Sequence, residues 1–310
     1  MNLSLSQPWA YLFVILGASC WGMTGMFVQE LYSYGLTPWQ VVTLRLTASS
    51  LILLGLLGMF HPAKLKVQLK DLPHLFLLGI VSIAFFNLFY FIVMERATIA
   101  IAVVFIYTSP IFASLIARVL FGESLTFRKG IAILLTIMGC ALAIGLIPGG
   151  EAKIGIVTIL IGLLSGLFCA SYSLIGKTLA GKYHPFTTTF YALVGGTAVS
   201  LPTSGIHEHA QAFMIPSFWI PVLGLSIIST IMGYILFTIG LYYVESSKAV
   251  ILSSVELVVS VLISVLVLSE ALSIWQGLGV ILIIFSISLT VISFRRRVKK
   301  AYPDMEISWQ

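Results

Sequence analysis

The sequence is poor in charge. Only 9% of its 310 residues are Asp, Glu, Lys or Arg, against roughly 25% in soluble globular domains. A soluble fold with so few charged residues could not cover its surface, and a disordered chain would be polar and highly charged. Since 59% of the residues are apolar, the composition predicts a protein that lies in a membrane.

Motifs of several enzyme classes are also missing. No glycine-rich phosphate loop of the Walker type occurs, which excludes ATP hydrolysis by this chain as a motor. The histidine pair at His207 and His209 lacks the i, i+4 spacing of a zinc-binding helix. Cys20, Cys140 and Cys169 show no C-x-x-C spacing, so we interpret them as small buried hydrophobic residues. We therefore expect no enzyme, no cofactor and no metal site.

Long apolar runs, in contrast, are abundant. A helix needs about 20 residues to cross the hydrocarbon core, and ten stretches of this kind are present. They are continuous rather than alternating, which argues against β-barrel strands. Nothing basic precedes the first run, so we expect it to be a retained span rather than a signal peptide. The predicted spans are 9–29, 37–60, 73–94, 98–120, 129–147, 154–176, 186–204, 217–241, 247–268 and 273–294.

Basic residues are distributed unevenly between the two sets of loops. If the N-terminus is cytoplasmic, the inner loops and the tail carry fourteen basic residues and the outer loops carry two, with Arg45 inside the second span. By the positive-inside rule, this pattern predicts a multi-pass protein of the cell membrane with both termini in the cytoplasm. The basic tail, 295–310, is expected to hold the last helix against anionic lipid rather than to bind nucleic acid.

Short segments of the first half recur in the second half at an offset of 147 or 148 residues. Each copy holds five spans, an odd number, so the second copy must enter the membrane from the opposite side. The sequence thus predicts an all-α integral membrane fold of two inverted five-helix repeats, 1–150 and 151–294, which can expose a central site alternately to each face. The matched segments are Gly122-Glu-Ser-Leu125 with Ser269-Glu-Ala-Leu272, Ala102 with Ala249, Ala18-x3-Gly22 with Gly166-x3-Ala170, and Pro38 with Pro185.

Several motifs point to a family. They are Gly17-Ala-Ser-Cys-Trp-Gly22, Leu44-Arg-Leu-Thr-Ala48, Tyr107-Thr-Ser-Pro110, and the turns at Gly122-Glu123 and Ser269-Glu270. With these motifs, residues 9–294 resemble the drug/metabolite transporter superfamily, in its EamA-type branch of ten-helix transporters.

The resemblance implies helices around a central cavity lined mainly by spans 1, 3, 4, 6, 8 and 9. It implies a secondary transporter that exports amino acids or related small metabolites. A sugar or nucleotide-sugar exchanger and a lipophilic-cation efflux carrier are alternatives within this class, and a channel or a membrane-embedded enzyme are alternatives outside it. In one departure from the family pattern, Glu256 is followed by Leu257 rather than by proline. The hinges of the two halves are therefore expected to differ.

The sequence places two ionisable residues deep in predicted spans, where a charge is costly and marks a pathway or a partner. Glu256 lies about nine residues into the ninth span, near the midplane, and its repeat mate Ser109 is uncharged. We interpret Glu256 as a proton or substrate-amine site. The alternative is a structural acid, neutralised by a donor such as Arg45, which by itself we interpret as structural. Pro110 removes a backbone donor and is expected to kink the fourth span by freeing the carbonyl of Ile106.

Further residues are candidates for the cavity and for helix packing. Gly22 and Gly166 belong to small-x3-small faces, which we expect to bring helices of one chain together; a dimer interface is the other interpretation. Glu123 and Glu270 are interpreted as helix N-cap or first-turn residues. The expected partners are the lipid bilayer, a small-molecule substrate and protons, for a monomer or homodimer. The candidates for contacting substrate or a coupling ion in the cavity, beside Glu256, are Trp21, Asn87, Tyr90, Tyr107, Ser109, Tyr172 and Tyr234.

Overall fold

The computed structural model describes residues 7–96, 99–143, 155–209, 211–266 and 273–301. Within these ranges the regular elements are helices, and there is no β-strand. Helices are what the long apolar runs require, because a helix satisfies its own backbone polar groups inside lipid. In chain order the α-helices are α1 (Gln7–Gly22), α2 (Thr24–Ser33), α3 (Pro38–Phe60), α4 (Leu72–Gly79), α5 (Phe86–Arg96), α6 (Ile99–Ile106), α7 (Ser109–Phe121), α8 (Phe127–Ala143), α9 (Ile156–Leu179), α10 (Pro185–Thr203), α11 (Trp219–Leu223), α12 (Gly233–Leu241), α13 (Ser246–Leu252), α14 (Val255–Leu266) and α15 (Ile274–Ala301).

Six helical segments are long and apolar enough to cross a membrane. The other four predicted spans do not meet the criteria of length and hydropathy together over the described residues. The fifth span coincides with α8, the seventh with α10, the ninth with α13 and α14, and the tenth with α15. The six segments are Gln7–Ser33, Pro38–Phe60, Leu69–Tyr90, Val104–Phe121, Ile156–Leu179 and Pro216–Leu241.

Three of the predicted spans are interrupted. The first span breaks at Met23, the fourth at Tyr107 and Thr108, and the ninth at Ser253 and Ser254. Each break divides a span into two shorter helices, so that α2, α7 and α14 begin in the middle of a predicted span. Hydropathy did not predict these interruptions, because the residues on both sides of each break remain apolar.

The break in the fourth span corrects the expectation for Pro110. Instead of kinking a continuous helix, Pro110 is the second residue of α7, where the missing N–H would have no helical partner in any case. Turn hydrogen bonds lead from α6 into α7. The Thr108 N–H donates to the Phe105 carbonyl at 3.1 Å, and the Ile111 N–H donates to the Thr108 carbonyl at 3.0 Å. The helix ends before the proline rather than bending at it.

The ninth span breaks at nearly the repeat-matched position although it has no proline. The expected difference between the hinges is therefore not found in the helix breaks. The Ser253 hydroxyl donates to the Val250 carbonyl at 2.8 Å, and the Ser254 N–H donates to the Ile251 carbonyl at 3.2 Å. Serine hydroxyls compete with the helical hydrogen bonds by bonding nearby carbonyls. The break in the ninth span thus contains two consecutive serines, whereas the break in the fourth span is followed by a proline.

Two further segments depart from α-helical geometry. Residues 80–85, between α4 and α5, and residues 224–232, between α11 and α12, form π-helical turns. The Thr230 hydroxyl supports the second of these by donating to the Leu225 carbonyl at 2.8 Å. Single π-turns inside helices are frequent at functional sites, and both lie on spans that the family resemblance puts at the cavity.

The two halves of the chain pack against each other along most of their helices. In the first half, α1 packs on α12 and α14, and α3 packs on α10. In the second half, α9 packs on α5 and α7, and α15 packs on α8. The core is therefore shared between the halves.

Glycine permits the closest of these helix crossings. A Cβ atom on Gly79, at the end of α4, would lie 1.8 Å from the carbonyl oxygen of Ala192 on α10. Gly55, in the exposed part of α3, has nothing within 4 Å of the corresponding position. The two glycines therefore differ in whether a side chain can be accommodated.

We predict that Gly79→Ala destabilises the protein and that Gly55→Ala does not. Overpacking costs about 1–3 kcal/mol, whereas alanine in an open helical position gains about 0.5–1 kcal/mol over glycine. Thermal unfolding of the purified variants in detergent measures both effects. Equal melting temperatures for the two variants would contradict the observed crossing of α4 and α10.

Candidate functional site

Glu256 lies in the first turn of α14, immediately after the break in the ninth span. Its side chain is partly exposed. A carboxylate at this position lies at the positive end of the helix dipole, which stabilises negative charge. Discontinuous helices whose ends meet at a central site are a recurrent device for binding charged groups in transporters. The break thus gives the carboxyl group a polar environment in an apolar span.

Three helix breaks meet around Glu256. Gly22 ends α1, and a Cβ atom on it would lie 2.6 Å from the carbonyl oxygen of Glu256. The Ser260 hydroxyl, one turn further along α14, donates to the Gly22 carbonyl at 3.0 Å. Tyr107, at the break in the fourth span, packs in one apolar cluster with Leu257 and Val258, which follow Glu256 in α14. The interruptions of the first, fourth and ninth spans are therefore adjacent.

Tyrosines and cysteines from several helices surround the same carboxyl group. Tyr90 of α5, Tyr107 at the break in the fourth span, and Tyr234 of α12 lie near Glu256. Cys140 of α8 and Cys169 of α9 lie near it as well. The structure thus brings together candidates that are far apart in the sequence.

Cys169 is a candidate that the sequence interpretation missed. Both cysteines were expected to be small buried hydrophobic residues, and Cys140 is buried, whereas Cys169 is partly exposed. A signal was present for Cys169, because it lies three residues before Tyr172 and so shares a helix face with a cavity candidate.

An aromatic wall adjoins this group. The Trp21 ring lies 5.1 Å from the Tyr234 ring, centroid to centroid, and Tyr172 lies 5.0 Å from Tyr234. The Tyr172 hydroxyl is hydrogen-bonded to the Thr238 hydroxyl at 2.9 Å. The indole Nε1 of Trp21 is buried and has no hydrogen-bond partner among the described residues. The wall is therefore a packed aromatic cluster, and its unpartnered indole donor is buried against Gly233 of α12.

Arg45, on α3, interacts electrostatically with both Glu256 and Tyr234. Within the described part of the chain, however, no ion pair or hydrogen bond joins Arg45 to Glu256. The Arg45 Nε atom is buried without a partner, which carries an unfavourable desolvation energy. Arg45 and Glu256 are therefore neighbours that no direct contact joins in the described part of the chain.

The remaining candidates make local contacts. The Asn87 side chain is buried and donates to the Ile83 carbonyl of its own helix at 2.6 Å, beside the π-turn of the third span. Gly166 packs on the break of the fourth span, where a Cβ atom would lie 2.6 Å from the Phe105 carbonyl oxygen. Gly22 and Gly166 therefore both bring a helix against a break within the same chain.

Glu123 does not cap the helix that follows it. That helix, α8, is capped by Thr126, whose hydroxyl accepts from the Lys129 N–H at 3.3 Å. The Glu123 carboxylate instead reaches the second half, where the N–H of Ser246, the first residue of α13, donates to it at 2.9 Å. Glu123 thus stabilises the beginning of a helix in the other half. Glu270 lies outside the described residues.

Similar proteins are transporters by name. An uncharacterized transporter of Archaeoglobus fulgidus is 25% identical over 91% of this chain and 98% of its own length. The uncharacterized transporter YwfM of Bacillus subtilis is 28% identical over 93% of this chain and 95% of its own. The pseudopaline exporter CntI of Pseudomonas aeruginosa is 22% identical over 62% of this chain and 64% of its own.

A solved crystal structure shares the fold, with a TM-score of 0.75 over 94% of this chain and 99% of that chain at 17% identity. The model of the EamA-like transporter family matches the sequence twice, at residues 8–145 and 156–292. Together these ranges cover most of the 310 residues. The chain belongs to the EamA-like transporter family, and it is a multi-pass membrane transporter rather than an enzyme.

Proposed function

We propose that the chain is a secondary carrier that works by alternating access, with Glu256 at its central site. The observation that carries this proposal is the position of Glu256, an acidic residue in the first turn of α14, where three helix breaks meet. Such a group can bind a proton or a substrate ammonium and release it when the surrounding helices move.

Ten crossings in two inverted repeats are part of the proposal. Shifting the π-turn at residues 80–85 by the offset of 147 gives 227–232, which lies inside the second π-turn. The same offset relates α5 to α12, α6 to α13 and α7 to α14 within a residue or two at each end. Packing follows the same relation, since α1 packs on α12 and α14 while its repeat mate α9 packs on α5 and α7. These matches support the boundaries 1–150 and 151–294.

In the proposed orientation, both termini lie in the cytoplasm. The loop between α10 and α11 lies on the outer side of the cell membrane. The asymmetry of fourteen inner against two outer basic residues supports this orientation. Glu208 is exposed in the loop between α10 and α11, and Lys70 is exposed in the loop between α3 and α4, which the proposal puts on the opposite face.

We predict that a cysteine at position 208 reacts with a membrane-impermeant maleimide in intact cells. The background has Cys20, Cys140 and Cys169 replaced by alanine, so that Glu208→Cys supplies the single thiol. Lys70→Cys is the matched control and should react only after permeabilisation. The opposite pattern would reverse the orientation, and reaction of both in intact cells would exclude an odd number of crossings between them.

The proposed substrates are amino acids or related metabolites that carry an amine. An ammonium group would pair with Glu256 and could also contact the ring faces of Trp21 and Tyr234. A carboxylate on the same molecule would supply an acceptor for the unpartnered Nε of Arg45. The name of the pseudopaline exporter among the relatives supports outward transport.

A lipophilic cation would also suit the carboxylate and the rings, but it would leave the Arg45 donor unsatisfied. A sugar or nucleotide sugar would make no use of the negative charge of Glu256. A thermal-shift screen of the purified protein against these three chemical classes distinguishes them, because a ligand that binds the folded state raises its apparent stability.

We predict that Glu256→Gln reduces transport driven by a pH gradient to background, because glutamine keeps the shape of the side chain and cannot exchange a proton. Glu256→Asp should retain part of the activity, since the carboxylate remains but is one methylene shorter. Uptake into proteoliposomes with an imposed pH gradient measures both variants.

Glu208→Gln is the matched control for this experiment, because it removes a carboxylate from an exposed loop and should transport at the wild-type rate. If Glu256→Gln also transports at the wild-type rate with unchanged pH dependence, Glu256 is a structural acid and the proposed role is wrong.

A further inference from the structure

A cluster of charged side chains joins the two halves at the end of the molecule that carries the basic loops, apart from Glu256. We name it the inner ion network: Glu123 and Lys129 of the first half with Glu245, Ser247 and Lys248 of the second. The Lys129 Nζ atom lies 2.8 Å from a carboxylate oxygen of Glu245 and donates to the Ser247 hydroxyl at 2.7 Å. It also lies 3.3 Å from the Glu123 carboxylate. One ammonium group therefore connects three partners: Glu123 after α7, Glu245 before α13, and Ser247 in the first turn of α13.

Each charge of the network is compensated. The Ser247 hydroxyl donates to Glu123, and the Lys248 ammonium lies 3.0 Å from Glu245. The side chains of Lys129 and Glu123 are only 7% and 8% exposed. Burial alone raises the pKa of Glu245, but the ion pair with Lys129 and the charge of Lys248 bring that pKa below its ordinary value. The carboxylate is therefore ionised at neutral pH.

The network holds together two helices that lead to the central site. Glu123 follows the C-terminal end of α7, and Glu245 precedes α13. These two helices pack against each other, and their other ends are the breaks beside Glu256. The repeat-matched pair, α6 and α14, does not pack closely in the described part of the chain: α6 packs on α5 and α9, and α14 packs on α1 and α15. Among the described residues, close packing is therefore found for α7 with α13 and not for the repeat-matched pair.

The second copy of the repeat lacks the cation of this network. At the offset of 147, Lys129 corresponds to Gln276. The Gln276 side chain accepts a hydrogen bond from the Ser273 N–H at 2.9 Å, and the Ser273 hydroxyl accepts from the Gln276 N–H at 3.1 Å. This reciprocal pair caps the beginning of α15, so the matched side chain is used within its own helix. The difference between Lys129 and Gln276 makes the two ends of the fold unequal.

We infer that the inner ion network is the cytoplasmic gate of the carrier, closed in this conformation and separated once in every transport cycle. The inference rests on the proposed alternating-access function. Separation admits water to the charges, and their recovered hydration offsets the lost attraction, since a buried ion pair forms at the expense of hydration. A gate of this kind is therefore stable while water is excluded from its charges, and it can still open reversibly.

A second ion pair at the same end serves as a control. Lys182 and Asp71 also join the two halves, at 2.6 Å, but the Lys182 side chain is 46% exposed. Exposed pairs contribute little to stability, so Lys182→Met should leave the gate closed. Lys129→Met, in contrast, removes the cation that three partners share.

Labelling of one buried residue tests the gate without requiring transport. Ser114 is on α7 between the network and the break, and it is 2% exposed. In a cysteine-free background, Ser114→Cys should react slowly with an impermeant maleimide applied to inside-out vesicles. Adding Lys129→Met should raise that rate by about tenfold or more, if removing the cation shifts the population of the open state, and adding Lys182→Met should not. Equal rates in all three proteins would overturn the proposed gate.

A reversible crosslink tests whether the gate must open. In the same background, Glu123→Cys with Ser247→Cys, joined by a short bifunctional methanethiosulfonate, should lose transport and recover it on reduction. Unchanged transport in the crosslinked protein would overturn the gate, even if Lys129→Met had simply failed to fold. If the uncrosslinked and wild-type proteins carry no solute of any class, the proposed function fails, and the labelling rates still decide whether the network closes the cytoplasmic side.

Discussion

Inside a membrane, a backbone group that loses its helical partner finds no water, so each interruption of a spanning helix must be satisfied by the protein itself or face a cavity. Hydroxyl side chains meet this requirement here. Thr108 donates to the Phe105 carbonyl at 2.6 Å at one break, Ser253 to the Val250 carbonyl at another, and Ser260 covers the exposed carbonyl at the end of α1. Because the breaks are satisfied, helix ends with their dipoles can lie among apolar spans, and a carboxylate is tolerated beside them.

The small-residue faces follow from the same constraint. Gly22 and Gly166 do more than let helices approach, because each lies against the interrupted backbone of the other half of the chain. A side chain at Gly22 would meet the backbone of Glu256, and one at Gly166 would meet Thr108. The same two glycines therefore set both the helix packing and the geometry of the site. A side chain at either position would push first against the backbone at a helix break.

The helices were predictable from the sequence because the length and continuity of apolar runs determine them, and Glu256 was predictable because a charge in such a run is conspicuous. The breaks were not, since a serine that bonds a nearby carbonyl scarcely changes hydropathy. Pro110 was therefore interpreted as a kink in a helix that in fact begins beside it. The partner of Glu123 was beyond local patterns as well, because Ser246 is 123 residues away and nothing near Glu123 indicates it.

The proposed repeat relates the backbones of the two halves, whereas several polar side chains differ between them. Two copies that fold alike would give two equivalent closed states, and neither face of the membrane would be preferred. Two polar positions differ between the copies. At the offset of 147, Ser109 corresponds to Glu256, and Lys129 corresponds to Gln276. A single carboxylate avoids repulsion between two like charges in one cavity, and a single ionic cluster favours closure at one end. In the proposed carrier, the repeated backbone would supply the motion, and a few substituted polar side chains would favour one closed state over the other.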